Sequence, residues 1–145
     1  QNNMEKIGVI GQGFVGTAVR EGMKNHYDVR TFDINGNCNE LSLKSLIENV
    51  NEVFLCLPTP MKKSGECDLS IVRECLRDIS IISTFLLKDP MLVIIKSTIP
   101  PGTTEQLNKE FDALNIAFNP EFLTEANAVN DYKNQIRQES SKRIG

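Results

Sequence analysis

Tryptophan is absent from this 145-residue chain, histidine occurs once, at His26, and only 6% of the residues are aromatic. The cysteines Cys38, Cys56, Cys67 and Cys75 include no C-x-x-C pair and have no histidine close by, so neither zinc nor a disulfide framework is expected. The thiols read as reduced ones of a cytoplasmic protein. No apolar run approaches the roughly 20 residues that cross a bilayer, so no membrane partner is expected. The opening stretch QNNMEKIGVIG has neither an apolar signal core nor a small-residue cleavage site, and no secretion signal is expected from it. A formal net charge of −3 argues against nucleic acid as a partner, because such a surface needs clustered lysine and arginine to displace phosphate counterions. There is no internal repeat and no low-complexity linker. What is present, 40% hydrophobic and 24% charged residues, is the composition of one globular domain that buries about two-thirds of its unfolded surface.

Apolar runs alternate with helical patterns from the start. KIGVI (6–10), DVRTFD (28–33), EVFLCL (52–57), MLVIIKS (91–97) and IAFN (116–119) read as strands, and the fourth is continuous enough to be buried on both faces of a parallel sheet. Between them, Val15, Ala18, Val19, Gly22 and Met23 recur at helical spacing, and LKSLIENV (43–50) forms a short helix. A long helix capped by Asp68 carries Val72, Cys75, Leu76, Ile79, Ile82 and Leu86 on one face. Thr103 and Gln106 have capping-box spacing for a helix continued by Leu107, Phe111 and Leu114. Strand and helix alternating in this way predict an open parallel sheet covered on both faces, with right-handed crossovers. Ligands in such sheets bind beyond the carboxyl ends of the strands. Those ends are GQGFVG, DIN, LPTP, STIPPG and NPEFLTE.

The first of these ends holds Gly11, Gly13 and Gly16 in a G-x-G-x-x-G pattern. Three glycines can simply make a tight turn, but here a strand precedes, a helix follows, and Asp33 closes the second strand twenty residues after Gly13. In that context Gly11 permits the turn, Gly13 admits a pyrophosphate to the backbone, and Gly16 allows close helix–strand packing. The anion would rest on the helix N-terminus, against Phe14 and Val15. A carboxylate at Asp33 accepts hydrogen bonds from the ribose hydroxyls of NAD and repels the 2′-phosphate of NADP; otherwise it is a solvated turn acid. The expected fold is a Rossmann-type doubly wound parallel sheet of about five strands with a truncated sixth. Lys24 and His26 are expected at the surface.

KIGVIGQGFVG, VFLCLPTP, KSTIPPGTT and NPEFLTEANAVND, taken together, resemble the amino-terminal domain of the dehydrogenases that oxidise the C6 alcohol of UDP-glucose or GDP-mannose to a carboxylate. The resemblance covers residues 4–134. It implies an NAD-binding domain over 4–130 and a polar tail over 131–145, with a central helix and a carboxyl-terminal substrate domain outside this chain. It also implies roles. Pro58 and Thr59 pass the adenosine side of NAD, and Ser97 and Thr98 lie near the nicotinamide, with the Thr98 hydroxyl at the catalytic water. Glu121 gives acid/base help in hydrolysis, Glu125 lies near both nicotinamide and substrate, and Phe122 and Leu123 join these glutamates against the sugar nucleotide. The partners implied are a nucleotide sugar, UDP-glucose first, and the rest of the same enzyme, which would supply the nucleophilic thiol, an assisting lysine and the base pocket. On the residues alone, Thr98 reads as a loop hydroxyl that caps backbone, and Glu121 and Glu125 as charges at a helix start. A GDP-mannose enzyme and a non-catalytic NAD-binding module remain the alternatives. Gln12, Phe14 and Met61 depart from the residues usual at their positions in the family, and the polar run IRQESSKRIG is not strand-like.

Overall fold

The computed structural model describes residues 4–122 and 124–144. Five strands, β1 (Lys6–Ile10), β2 (Asp28–Phe32), β3 (Glu52–Leu55), β4 (Met91–Ile95) and β5 (Leu114–Phe118), form one parallel sheet in the order β2-β1-β3-β4-β5. The helices α1 (Phe14–Met23), α2 (Leu43–Asn49), α3 (Ser70–Phe85), α4 (Thr103–Glu110) and α5 (Glu125–Ile144) follow the strands in turn. Side chains alternate between the two faces. Val53, Leu55, Val93, Ile95 and Ile116 pack with Leu46 and Ile47 of α2, Val72, Leu76 and Ile79 of α3, and Leu107 of α4. Ile7, Val9, Phe54, Leu92 and Ile94 pack with Val19 and Met23 of α1 and Val129 of α5. The expected doubly wound architecture is therefore present, with hydrophobic cores on both faces of the sheet.

Strand order reverses between β1 and β3, and the crevice at that reversal is where open α/β sheets take ligands. Both outer strands are finished by asparagine side chains. On β2, Asn39 Oδ1 accepts from Thr31 N (2.7 Å) and Asn39 Nδ2 donates to the Val29 carbonyl (3.2 Å). On β5, Asn108 Nδ2 donates to the Ile116 carbonyl and Asn108 Oδ1 accepts from Ile116 N, both at 2.8 Å, while Tyr132 donates to the Phe118 carbonyl at 2.8 Å.

Several boundaries differ from the sequence expectation. Residues 131–144, the stretch expected as a polar tail, lie within α5. Ala128 and Val129 are buried, Tyr132 and Ile136 pack against the same core, and Lys133 reaches Glu5 (3.0 Å) and Glu52 (3.4 Å). A few apolar residues at helical spacing thus dock the first half of α5 on α1, and the polar remainder continues the helix. Asp68 does not cap α3; the N-cap is Leu69, and Asp68 Oδ1 instead accepts from Ser70 N at 2.9 Å. Thr103 forms no capping box, because Gly102 in a left-handed conformation (φ +85°) is the N-cap and Thr103 is the first, buried, residue of α4. Helix α4 stops before Phe111, and Leu114 opens β5 instead of continuing the helix.

Candidate functional site

The β1–α1 turn is shaped by its glycines. Gly11 has φ +95°, and a Cβ there would lie 2.4 Å from the Cys56 carbonyl oxygen. A Cβ on Gly16 would lie 1.7 Å from the Gly11 carbonyl oxygen, so this glycine is demanded by the packing of α1 on the turn. Gly13 is different: it is the N-cap of α1, its φ of −75° is open to any residue, and a Cβ there would meet nothing within 4 Å. The space over Gly13 is left open beside the free N–H groups that begin α1, the arrangement an approaching anion needs. Phe14 stands 90% exposed at this edge and Val15 is half-buried. Gln12 is buried and its amide turns inward, Nε2 donating to the Gly11 carbonyl at 2.9 Å.

Asp33 sits just past β2 and fixes the turn as well as facing the crevice. Its Oδ2 accepts from Gln12 N at 2.5 Å and its Oδ1 from Asn35 N at 2.8 Å. A carboxylate offers about four acceptor positions, so both oxygens retain capacity for ribose hydroxyls. These residues fit NAD on the observations of an open Gly13 and an ionisable acceptor at the end of β2.

Two further loops meet next to this turn. After β3, Thr59 Oγ1 donates to the Thr98 carbonyl at 2.9 Å, which ties the Pro58–Pro60 segment to the loop after β4. Ser97 donates from its hydroxyl to the Leu57 carbonyl, a second tie between them. The Thr98 side chain belongs to an exposed residue, while Ser97 is half-buried. The resemblance places Thr59 on the adenosine side of NAD and Ser97 and Thr98 near the nicotinamide; the structure joins the two loops directly through these hydrogen bonds.

The segment after β5 carries the acids. Glu121 is exposed, and Phe122 is 50% exposed. Leu123 lies outside the described residues. Glu125 opens α5 and is buried, so its charge stands at a helix N-terminus. Its partner is Lys96, at the end of β4, whose side chain is fully buried. Lys96 Nζ stands 3.5 Å from Glu125 Oε1 and 3.3 Å from Asn119 Oδ1, donates also to the Glu121 carbonyl, and lies 5.3 Å from the centre of the Phe122 ring. Sequence reasoning assigned Lys96 no role, although a lysine ending an otherwise apolar buried strand was a readable signal. Thr124 was also passed over; its Oγ1 is buried without a hydrogen-bond partner among the described residues.

The thiols do not form a nucleophilic centre with these groups. Burial pushes the Cys56 and Cys75 thiols up to about 12 each; the Lys96 ammonium opposes that rise at Cys56 without overcoming it. Cys67 Sγ lies 3.9 Å from the Thr59 carbonyl and 4.0 Å from that of Thr98, as a donor to main chain. A separate concavity of about 470 Å³ opens among Glu5, Glu52, Lys88, Asp89 and Lys133 at the amino ends of the strands. Its lysines are already engaged, Lys88 with the Ile47 and Val50 carbonyls at 2.6 Å each and Lys133 with Glu5 and Glu52. Among the described residues no helix is long and apolar enough to cross a membrane.

Residues 37–139 match the model of the NAD-binding domain of the UDP-glucose/GDP-mannose dehydrogenase family. A UDP-glucose 6-dehydrogenase of Rickettsia bellii is 42% identical over 90 residues, covering 59% of this chain and 20% of the relative. Among solved structures, a UDP-glucose dehydrogenase of the archaeon Pyrobaculum islandicum superposes with a TM-score of 0.68 at 23% identity over 83% of this chain and 36% of that one. A GDP-mannose dehydrogenase of Pseudomonas aeruginosa gives 0.65 at 22% identity, over 87% and 38%. Both likenesses show the fold. The chain spans a fifth of the Rickettsia relative's length and somewhat over a third of each structure's.

Proposed function

This chain belongs to the UDP-glucose/GDP-mannose dehydrogenase family, whose NAD-binding domain it carries, and we propose that it serves an enzyme oxidising the C6 alcohol of UDP-glucose to the carboxylate of UDP-glucuronate. The observation that carries the reading is the meeting, at one edge of the sheet, of a phosphate-cradling turn with the Thr59–Thr98 loops. The resemblance adds the acidic segment after β5, held by Lys96. The identity to a relative named UDP-glucose 6-dehydrogenase favours UDP-glucose over GDP-mannose.

NAD would supply the hydride acceptor, one molecule for each of the two oxidation steps. Gly11, Gly13, Phe14, Val15 and Gly16 would seat its pyrophosphate, Asp33 its ribose, and Pro58, Thr59 and Ser97 would line its path toward the nicotinamide. Thr98 and Glu121 orient and deprotonate the water that releases the product from a covalent thioester, and Glu125 faces cofactor and sugar together. Phe122 and Leu123 complete the substrate side. The resemblance assigns the thiol that traps the aldehyde to the remainder of the enzyme, and burial raises the Cys56 and Cys75 thiols well above their usual value. Residues 4–130 thus act as the cofactor half, in a cytoplasmic protein that supplies sugar acids for polysaccharide biosynthesis.

The test uses the full-length protein. Glu121→Gln is expected to retain NAD binding and slow turnover by roughly 10²–10⁴-fold, the scale of a lost general acid or base. A covalent sugar adduct should accumulate on the enzyme's cysteine and be visible by mass spectrometry. Normal turnover by Glu121→Gln would reduce Glu121 to an exposed loop charge and end the mechanistic reading, leaving the NAD site intact.

A further inference from the structure

We infer that Lys96 is a positioning residue that sets the Glu121 segment against the Thr98 loop. This rests on the role proposed above for Glu121. A lysine is almost never fully buried without partners, and this one directs its whole donor capacity at a single stretch of chain. Its three hydrogen-bond partners are Asn119 Oδ1, the Glu121 carbonyl and Glu125 Oε1, and the ring its ammonium approaches is Phe122. Its main chain is anchored separately, Lys96 N donating to the Leu55 carbonyl at 3.0 Å, next to Asn119 N donating to the Ile95 carbonyl at 3.0 Å.

Lys96 is two residues from Thr98 along the chain, and its ammonium ends on Glu121. One side chain therefore joins the two loops that carry the hydroxyl and the carboxylate assigned to the water. Stability alone does not account for it. A buried ion pair costs about as much desolvation as it returns in attraction, and an apolar side chain such as those before it on β4 would fill the same place. What an apolar residue cannot do is hold a backbone carbonyl and two side-chain oxygens of residues 119–125 in fixed positions.

The experiment removes the tether without leaving a buried carboxylate unpaired. In full-length protein carrying Glu125→Gln, the further change Lys96→Met should leave the melting temperature and NAD affinity close to those of the Glu125→Gln parent. The kcat should fall about as far as Glu121→Gln takes it in the same parent, with little change in KM for the sugar nucleotide. Adding Glu121→Gln to that protein should slow it no further, because the two residues act as one unit. In the same Glu125→Gln background, Lys96→Met should raise amide hydrogen exchange at Asn119 by about tenfold, the scale of a lost charge-assisted hydrogen bond, and leave β1 and β3 protected.

Exchange that rises evenly through the sheet, or rate effects of Lys96→Met and Glu121→Gln that multiply independently, overturns the inference and makes Lys96 an ordinary core residue. If Glu121→Gln alone has no effect on turnover, the role proposed for Glu121 fails, and the positioning role fails with it. If Glu121→Gln slows turnover but is not coupled to Lys96, only the positioning role fails.

Discussion

Gly11 and Gly16 of the β1–α1 turn are demanded by the protein's own packing and Gly13 by the proposed cofactor site, and alanine substitutions at Gly16 and Gly13 separate the two demands. At Gly16 the new Cβ would sit 1.7 Å from the Gly11 carbonyl oxygen and 2.7 Å from its carbon. Both obstacles are backbone, so relief requires α1 to move away from the turn rather than a rotamer change. Overpacking of this kind costs about 1–3 kcal/mol or more, and the backbone contact puts Gly16→Ala at the upper end, about 3 kcal/mol. In a domain of this size that lowers the melting temperature by roughly 6–12 °C. At Gly13 nothing lies within 4 Å of the added carbon and φ is ordinary, so Gly13→Ala should melt within about 3 °C of the parent, the small loss being that of a glycine N-cap. Its added methyl stands instead where the pyrophosphate approaches, and NAD affinity should fall by at least about tenfold, one or more lost backbone–phosphate hydrogen bonds. Thermal unfolding followed by circular dichroism and calorimetric titration with NAD measure the two effects on the same samples. Gly13→Ala binding NAD as tightly as the parent would refute the cradle, and an undisturbed melting temperature in Gly16→Ala would refute the packing argument.

Asp33→Ala should weaken NAD by roughly 10–100-fold, the worth of hydrogen bonds to a charged acceptor, and narrow the preference over NADP; titration with both cofactors measures it, and equal NAD and NADP affinity in the parent would remove Asp33 from its role. Burial works to raise the Glu40 carboxyl, but hydrogen bonds from Arg30, Ser45 and Asn49 outweigh it and hold the group below its usual value. Ionised Glu40 therefore adds stability above its unfolded pKa, about 4.3, and that stability is lost as pH falls through the lower folded value. Glu40→Gln should flatten the acid side of the melting-temperature profile below about pH 4, and an unchanged slope there would contradict the assignment. Asn108→Ala frees the N–H and C=O of Ile116 together and should cost about 1–3 kcal/mol in urea unfolding; a smaller loss would mean that water replaces the amide at no cost.

Which parts were legible follows from how local their causes are. The strands β1, β3 and β4 announce themselves as short apolar runs and β2 as a short run bearing Val29 and Phe32, and Gly11, Gly13, Gly16 and Asp33 form a signature because strand, turn and helix are contiguous in sequence. Helix α5 was misjudged beyond residue 130 because only Tyr132 and Ile136 mark its docked face there, and each needs the far surface of α1 and β1 to make sense of it. The caps at Asp68 and Thr103 slipped by a residue because the backbone chose Leu69 and Gly102. Lys96 was missed for a different reason. A charge at the end of an apolar run reads as the point where the chain meets water, and only the tertiary arrangement encloses it with Asn119, Glu121 and Glu125.

A side-chain amide carries one donor and one acceptor, the same pair a peptide unit presents, and Asn39 and Asn108 use theirs as a strand one residue long. At Val29, Thr31 and Ile116 the rims of this sheet are therefore spent, and an extended segment from another molecule arriving there finds no ladder to join. The protection depends on one nitrogen at each rim. Hydrolysis of the Asn108 amide to a carboxylate would turn the donor facing the Ile116 carbonyl into a second acceptor, set oxygen against oxygen, and reopen that edge. Slow chemical ageing of the polypeptide, rather than unfolding, is then a route by which this sheet becomes adhesive.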